Sequence, residues 1–280
     1  MSADFSYKSD DYDKQTQRFV IPLYVKDELN TYVFSSTGSL VTYKGHHYIL
    51  FAAHALEDDI EFEKLNTFGT DGNFLPLARI AIGYQIFKEQ DIGVVDCFNQ
   101  RLENKNYFDL EEKSLIGFEK KHFAWTGFPV SQCISKVVHN SISSDTLRDK
   151  YIHSDVGGTF FKNARYFTII SKINTNNNIE ITGSYNRNNT SLKYKGLVST
   201  GPHPQGMSGG ALYYFSKKQN LKPNLEDSFR FAGIGLKYRK DNTIFGVPAF
   251  KIIELLERLN EENPLQINIA SNTEMTWNDE

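Results

Sequence analysis

Cysteine is scarce in this chain: two occur among 280 residues, Cys97 and Cys133. Their spacing matches neither a metal knuckle nor the disulfide framework of a small secreted domain, so the simpler expectation is a reducing compartment and a cytoplasmic protein. Long apolar runs are also lacking. The longest, YILFAAHAL at 48–56, falls far short of the roughly 20 residues a membrane span requires and contains a histidine. The opening MSADFSYKSDDYDKQ is polar and acidic, where a secretory signal needs a positive start followed by an apolar segment; neither a signal peptide nor a membrane partner is expected. No block of one charge stands out either. With 31 Lys and Arg against 34 Asp and Glu, the net charge of -3 offers no electrostatic platform, and nucleic acid is not an expected partner.

Aromatic residues are plentiful, 21 Phe and 15 Tyr, and they come with Val, Ile and Thr in short runs rather than long helical stripes, which favours β structure. RFVIPLYV (18–25) and TYVFSSTGSLVTY (31–43) read as strands, the second with Gly38 placed to allow a bend or bulge. A turn at Lys44 and Gly45 leads into HHYILFAAHAL, and FLPLARIAIGYQIF and QDIGVVDCF supply further strands before residue 103. The charged stretch QRLENKNYFDLEEKSLIGFEKKH reads as a linker. FAWTGFPV, ARYFTIISKI, NIEITGSY, KGLVSTG, GALYYFS, RFAGIGLKY and TIFGVPA then form a second set of strands divided by Gly, Asn and Asp. The asparagine-rich segment Asn174 to Ser191 reads as a hairpin with a solvated tip.

In PAFKIIELLERLNEEN, Phe250, Ile253, Leu255, Leu256 and Leu259 follow helical spacing, with Pro248 suited to the first turn. The expected architecture is all-β: two antiparallel six-stranded barrels with a C-terminal helix. Its parts would be a polar segment at 1–17, a first barrel at 18–103, a linker at 104–121, a second barrel at 122–247, a helix at 248–263 and a tail at 264–280.

Three short motifs could carry chemistry. In Gln205-Gly206-Met207-Ser208-Gly209-Gly210 the glycines around a serine leave Oγ exposed and let a carbonyl approach backbone amides. In Phe51-Ala52-Ala53-His54-Ala55 a histidine ends an apolar strand between small residues, and in Gln90-Asp91-Ile92-Gly93-Val94-Val95 an aspartate opens a strand. Taken singly, these are a tight turn, a core histidine and a turn aspartate. Together, in the order His, Asp, Ser, they carry more weight.

The three motifs, with TGSLVTYKGHHYILFAAHAL, DIGVV and GMSGGAL as they stand here, resemble those of the trypsin-like serine peptidases: a "GSG, strand, TAAH" opening, a "D-I-A-V" strand and a "G-x-S-G-G" loop. WTGFP (125–129) is similar to the strand that opens the second half of bacterial members, and FAGIGLKY with IFGVPAFKIIELL to their closing strands and helix; the resemblance spans about 18–260.

It implies a chymotrypsin fold and a serine endopeptidase acting on protein or peptide substrates, with His54 as general base, Asp91 orienting its ring and Ser208 as nucleophile. It further implies an oxyanion hole from the Gly206 and Ser208 amides, a substrate-pairing strand at Leu236, Lys237 and Tyr238, and a specificity pocket at Pro202 and His203. No cofactor and no metal are implied. Met207 stands where zymogen-activated animal enzymes have an aspartate, and the cysteines that staple the histidine loop of secreted relatives are missing. Competence would therefore be built in or controlled by a regulatory protein partner. Some bacterial relatives of this kind serve antiviral defence by cutting a companion effector, an expectation that carries over with the resemblance.

The competing reading is a catalytically silent protease-fold binding module. A metal hydrolase on His46, His47 and His54 is disfavoured, because adjacent strand residues point to opposite faces. A cysteine peptidase is disfavoured because neither cysteine lies in a glycine-rich loop.

Overall fold

The computed structural model describes residues 11–262, apart from 30, 57–60, 70, 112–113, 134–135, 139–145, 147–148, 150–151, 156–157, 162–163, 190 and 195–196. The first ten residues and the expected tail at 264–280 lie outside the described residues, as does most of the acidic stretch after Leu56.

Strands β1 (Val20–Lys26), β2 (Thr31–Tyr43), β3 (His46–Ala52), β4 (Leu65–Phe68), β5 (Phe74–Pro76), β6 (Gly83–Phe87) and β7 (Ile92–Asp96) form one curved sheet in the order β5-β4-β1-β2-β3-β7-β6. Its path ends at β5 and β6 with no pairing between them among the described residues, so this half is an open half-barrel rather than a closed six-stranded one. The second half does close. Strands β9 (His122–Gly127), β13 (Phe167–Asn176), β14 (Ile181–Ser184), β17 (Gly210–Phe215), β18 (Phe229–Tyr238) and β19 (Thr243–Pro248) make a six-stranded barrel in the order β13-β14-β19-β18-β17-β9. The result is an all-β fold compatible with chymotrypsin-like architecture, ending in one helix, Ala249–Glu262.

Local chemistry explains the turns. Lys44 and Gly45, both at positive φ (48° and 81°), make the tight β2–β3 hairpin whose twist suits flanking strands. The irregularity in β2 falls between Ser36 and Phe34, opposite Leu23 and Tyr24, rather than at Gly38. Gly38 serves packing instead: a Cβ there would sit 3.0 Å from Ile21 and 3.2 Å from Ile49. In the asparagine-rich stretch, β13 pairs with β14 as a hairpin whose tip is closed by the Asn177 side chain, which accepts the amides of Ile179 and Glu180.

Several segments that read as peripheral are structural. The linker contributes a short strand β8 (Phe108–Asp109), which pairs with β2 in parallel, whereas the other strand pairs among the described residues are antiparallel. Phe108 stacks on Phe19 at 4.3 Å and meets Tyr213 and Phe231, so aromatic rings from the N-terminal segment, the linker and the barrel form the seam between halves. Residues 11–17 of the polar start belong to that seam. Tyr12 is buried and its hydroxyl donates to the Ser228 carbonyl at 2.8 Å while accepting from the Ser216 amide at 2.9 Å.

β10 (Lys136–Val138) leaves the second half to pair with β2. β11 (Ile152–Asp155) with β12 (Gly158–Phe161), and β15 (Ser191–Tyr194) with β16 (Leu197–Thr200), are separate two-stranded ribbons, so KGLVSTG is not a barrel strand.

The helix begins after Pro248, which closes β19. Ile252, Leu255, Leu256 and Leu259 bury into the same cluster as Tyr48, Leu50 and Val94 of the first half, whereas Phe250 faces solvent. Tyr43 and Tyr48 hydroxyls donate to Glu257 (2.8 Å) and Asn260 (3.1 Å), tying the helix across to β2 and β3. Among the described residues no helix is long and apolar enough to cross a membrane.

Candidate active site

His54 lies on a single turn of 3-10 helix, Ala53–Ala55, directly after β3. Its small neighbours Ala53 and Ala55 are buried while its own side chain is 46% exposed, so the turn is anchored by the alanines and presents the ring. Asp91 ends the Lys88–Gln90 turn in the left-handed conformation (φ 58°, ψ 39°), one of the few that aspartate adopts readily among L-residues, and β7 follows immediately. Pairing of β3 with β7 sets Ala52 against Ile92, and the Ala53 amide donates to the Asp91 carbonyl at 2.9 Å.

These constraints bring the two side chains together. One Asp91 oxygen accepts the His54 backbone N–H at 3.0 Å, and the other lies 2.8 Å from His54 Nδ1. Nδ1 therefore carries a proton and Nε2 is left as the basic nitrogen. Burial alone would push the Asp91 carboxyl up. The hydrogen bonds from His54, with the charges of His54 and Lys237, outweigh it and hold the group below the usual carboxylate value.

Ser208 sits in a loop whose carbonyls are pinned by the first half. The Thr37 hydroxyl donates to the Gly206 carbonyl at 2.9 Å, the Thr37 amide to the Ser208 carbonyl at 3.0 Å, and the Ser39 hydroxyl to the Gly209 carbonyl at 2.6 Å. The Gln205 carbonyl accepts from the Val130 amide at 2.8 Å. Because a trans peptide points C=O and N–H in opposite directions, that bond turns the Gly206 N–H away from Val130. The Gly206 and Ser208 amides take no hydrogen-bond partner among the described residues.

Glycine is required here. Gly206 and Gly209 have φ of 92° and 84°, and a Cβ on Gly209 would lie 2.1 Å from the Thr37 carbonyl oxygen.

The Ser208 hydroxyl donates to the Leu236 carbonyl at 2.7 Å, not to the His54 ring. β17 pairs with β18 only up to Gly235, so Leu236, Lys237 and Tyr238 run on with one edge paired to β19 and the other uncovered by any strand among the described residues. Lys237 folds its ammonium over to Asp91, 3.3 Å from Oδ2. His54, Ser208, His203, Pro204, Gln205, Leu236, Lys237, Tyr238 and Trp125 line a cleft of about 330 Å³. Pro202 is not in its lining: it is buried behind, its carbonyl accepting from the Tyr185 hydroxyl at 3.1 Å.

The other ionisable candidates are engaged elsewhere. His46 Nδ1 lies 3.1 Å from Asp96 and His47 Nδ1 3.0 Å from the Phe98 carbonyl, so neither is directed at Asp91. Burial pushes both thiols, Cys97 and Cys133, up to about 12, far from a reactive thiolate.

Three residues around the site escape the sequence. Thr37 and Ser39 are strand residues with no chemical signal beyond the TGS triplet, and Trp125 is visible only as part of WTGFP. Lys237 is named on the substrate-pairing strand, but no spacing rule places it on Asp91.

No family model matches the chain, and no curated protein matches it.

Proposed function

We propose that the protein is a serine endopeptidase with His54, Asp91 and Ser208 as its catalytic triad. The single observation that carries this is the His54 Nδ1–Asp91 contact at 2.8 Å, with His54 in a cleft shared with Ser208, where the Gly206 and Ser208 amides take no partner among the described residues.

Proton transfer follows from that geometry. His54 Nε2 takes the Ser208 proton as Oγ bonds to the substrate carbonyl carbon, and the carbonyl electron pair moves onto oxygen, where the Gly206 and Ser208 N–H groups receive it. Collapse breaks the C–N bond, and His54 passes its proton to the leaving amine. Water then attacks the acyl-serine by the same route, His54 returning the proton to Oγ. Asp91 stays ionised and balances the imidazolium.

The uncovered edge of Leu236–Tyr238 suits an extended peptide that adds as a strand. Such a peptide would supply an N–H to the Leu236 carbonyl, which now holds the Ser208 hydroxyl. Its arrival frees the hydroxyl to turn to His54, so a resting site of this kind is completed by its substrate.

That same Ser208–Leu236 bond is the one observation favouring the second reading, a silent binding module on a protease scaffold. A fluorophosphonate probe separates the two, because only an activated serine reacts. Labelling of the wild type and none of Ser208→Ala, with both proteins melting within about 3 °C of each other because one hydrogen bond is lost, is the expected outcome. Absence of labelling in the wild type would sink the peptidase assignment.

A further inference from the structure

The Lys237 ammonium lies 3.3 Å from Asp91 Oδ2, the same oxygen that stands 2.8 Å from His54 Nδ1. One carboxylate oxygen therefore serves two partners. While His54 is neutral, the charges of Lys237 and Asp91 cancel. Once His54 takes the Ser208 proton, the imidazolium and the ammonium share a single carboxylate, and the cluster carries an excess positive charge. The surrounding side chains do little to correct it. No acidic side chain lines the cleft shared with Ser208. Glu61, Glu63 and Lys88 line a neighbouring cavity of about 430 Å³ that also reaches His54, but all three are exposed and screened by solvent.

Sheet register indicates where a balancing charge would come from. β17 covers β18 as far as Gly235, so a peptide whose N–H reaches the Leu236 carbonyl, with its own carbonyl at Ser208, continues upstream along Lys237 and Tyr238. Such a peptide runs antiparallel to β18. Residues directly opposite in an antiparallel pair share a face, with Cβ atoms about 4.5–5.5 Å apart. The residue before the cut bond then stands opposite Leu236, and the residue before that stands opposite Lys237. The second of these directs its side chain to the face on which Lys237 reaches Asp91. The Lys237 side chain is 57% exposed, open to approach from the cleft.

We infer that Lys237 is a specificity-determining residue that selects substrates with an acidic side chain two residues before the cut bond. The inference rests on the peptidase reading above and names its substrate class. A carboxylate at that position pairs with the ammonium and leaves Asp91 to the imidazolium, so two cations face two carboxylates during proton transfer. Because the imidazolium exists only after Ser208 has lost its proton, the advantage falls mainly on turnover rather than on binding. A neutral side chain leaves the excess charge uncompensated, and a lysine or arginine adds a further cation to it.

The test uses three pools of fluorogenic peptides, each with an equal mixture of residues immediately before the cut and with Glu, Gln or Lys fixed one position upstream. Wild-type protein should cleave the Glu pool about fivefold faster than the Gln pool in kcat/KM, the upper end for a partly exposed ion pair. The larger part of the gain should lie in apparent kcat, and the Lys pool should be slowest. Lys237→Met keeps the length of the side chain without its charge and should bring the Glu-to-Gln ratio to about one. Lys237→Glu should invert the order and make the Lys pool the fastest, a gain that damage to the fold cannot produce. Three results overturn the inference and leave the peptidase assignment standing: a wild type that prefers the Gln or Lys pool, a Lys237→Met protein that melts like wild type and keeps the Glu preference, or a wild type that reacts with the fluorophosphonate yet leaves the Glu pool uncut. A wild type that neither cleaves any pool nor reacts with the probe overturns both.

Discussion

Replacing Asp91 by Asn isolates what the carboxylate does, because the backbone barely notices the change. Asp91 occupies the left-handed region, which asparagine tolerates as well as aspartate does. The His54 backbone N–H, 3.0 Å from Oδ1, must still find an acceptor, and that requirement orients the new amide with its oxygen at the Oδ1 position. The NH2 group then falls at the Oδ2 position, 2.8 Å from Nδ1. A donor facing Nδ1 drives the ring proton to Nε2, and a protonated Nε2 cannot accept from Ser208. Wrong tautomer with correct geometry costs about 10⁴ in turnover in the worked chymotrypsin-type case, equivalent to about 5 kcal/mol of barrier. The fold should lose far less: an exposed ion pair to Lys237 contributes at most about 1 kcal/mol, a melting shift of about 2–4 °C at this chain length.

The two measurements are the rate of fluorophosphonate labelling and a thermal melt. The variant should label about 10⁴-fold more slowly and melt within a few degrees of wild type. Acid titration adds a check with a defined sign. Since folding holds the Asp91 carboxyl below its unfolded value, the stability it contributes is fully present above the ordinary carboxylate range near pH 4 and is lost as pH falls through the depressed folded value. The wild type should therefore lose melting temperature more steeply than Asp91→Asn below about pH 4. Labelling within tenfold of wild type, from a variant that melts normally, would refute the role given to Asp91.

Two further substitutions test how the nucleophile loop is held. Thr37→Val replaces a fully buried hydroxyl that donates to the Gly206 carbonyl and accepts the Phe128 amide, both at 2.9 Å. Two buried groups lose their partner, so about 3 kcal/mol and roughly 6–12 °C of melting temperature should go, and labelling of Ser208 should slow as well; a variant that melts like wild type would mean the loop is held by other contacts. Gly209→Ala must place a methyl 2.1 Å from the Thr37 carbonyl at φ 84°. It should destabilise by more than about 2 kcal/mol and suppress labelling, and a stable, labelling-competent protein in a denaturant melt would show that the loop geometry is not as described.

What could be read from sequence was whatever local patterning controls. Alternating runs such as IEITGSY and the Lys44-Gly45 turn identified hairpins, because side-chain period and φ sign are local properties. Closure was not legible. Whether a sheet seals into a barrel depends on pairing between its first and last strands, and nothing in FLPLARIAIGYQIF announces that β5 and β6 remain apart. The packing of the linker was hidden for a related reason: Phe108 sits in a charged stretch, and only the tertiary fold shows that its ring meets Phe19, Tyr213 and Phe231.

The candidate site divides along the same line. His54, Asp91 and Ser208 each stand in a context with its own signature: small residues around a histidine, an aspartate at a strand start, glycines around a serine. Those signatures exist because each residue must be presented by a tight local turn, and tight turns restrict their neighbours. Thr37, Ser39 and Lys237 act through side chains that reach across the seam or the cleft, to carbonyls or to Asp91. Their backbones are ordinary strand, so their neighbours are under no constraint that a reader could detect. The consequence is asymmetric: residues that would perform the chemistry are marked by the turns that hold them, whereas residues that pin the loop or shape the cleft are recognisable only once the two halves have met.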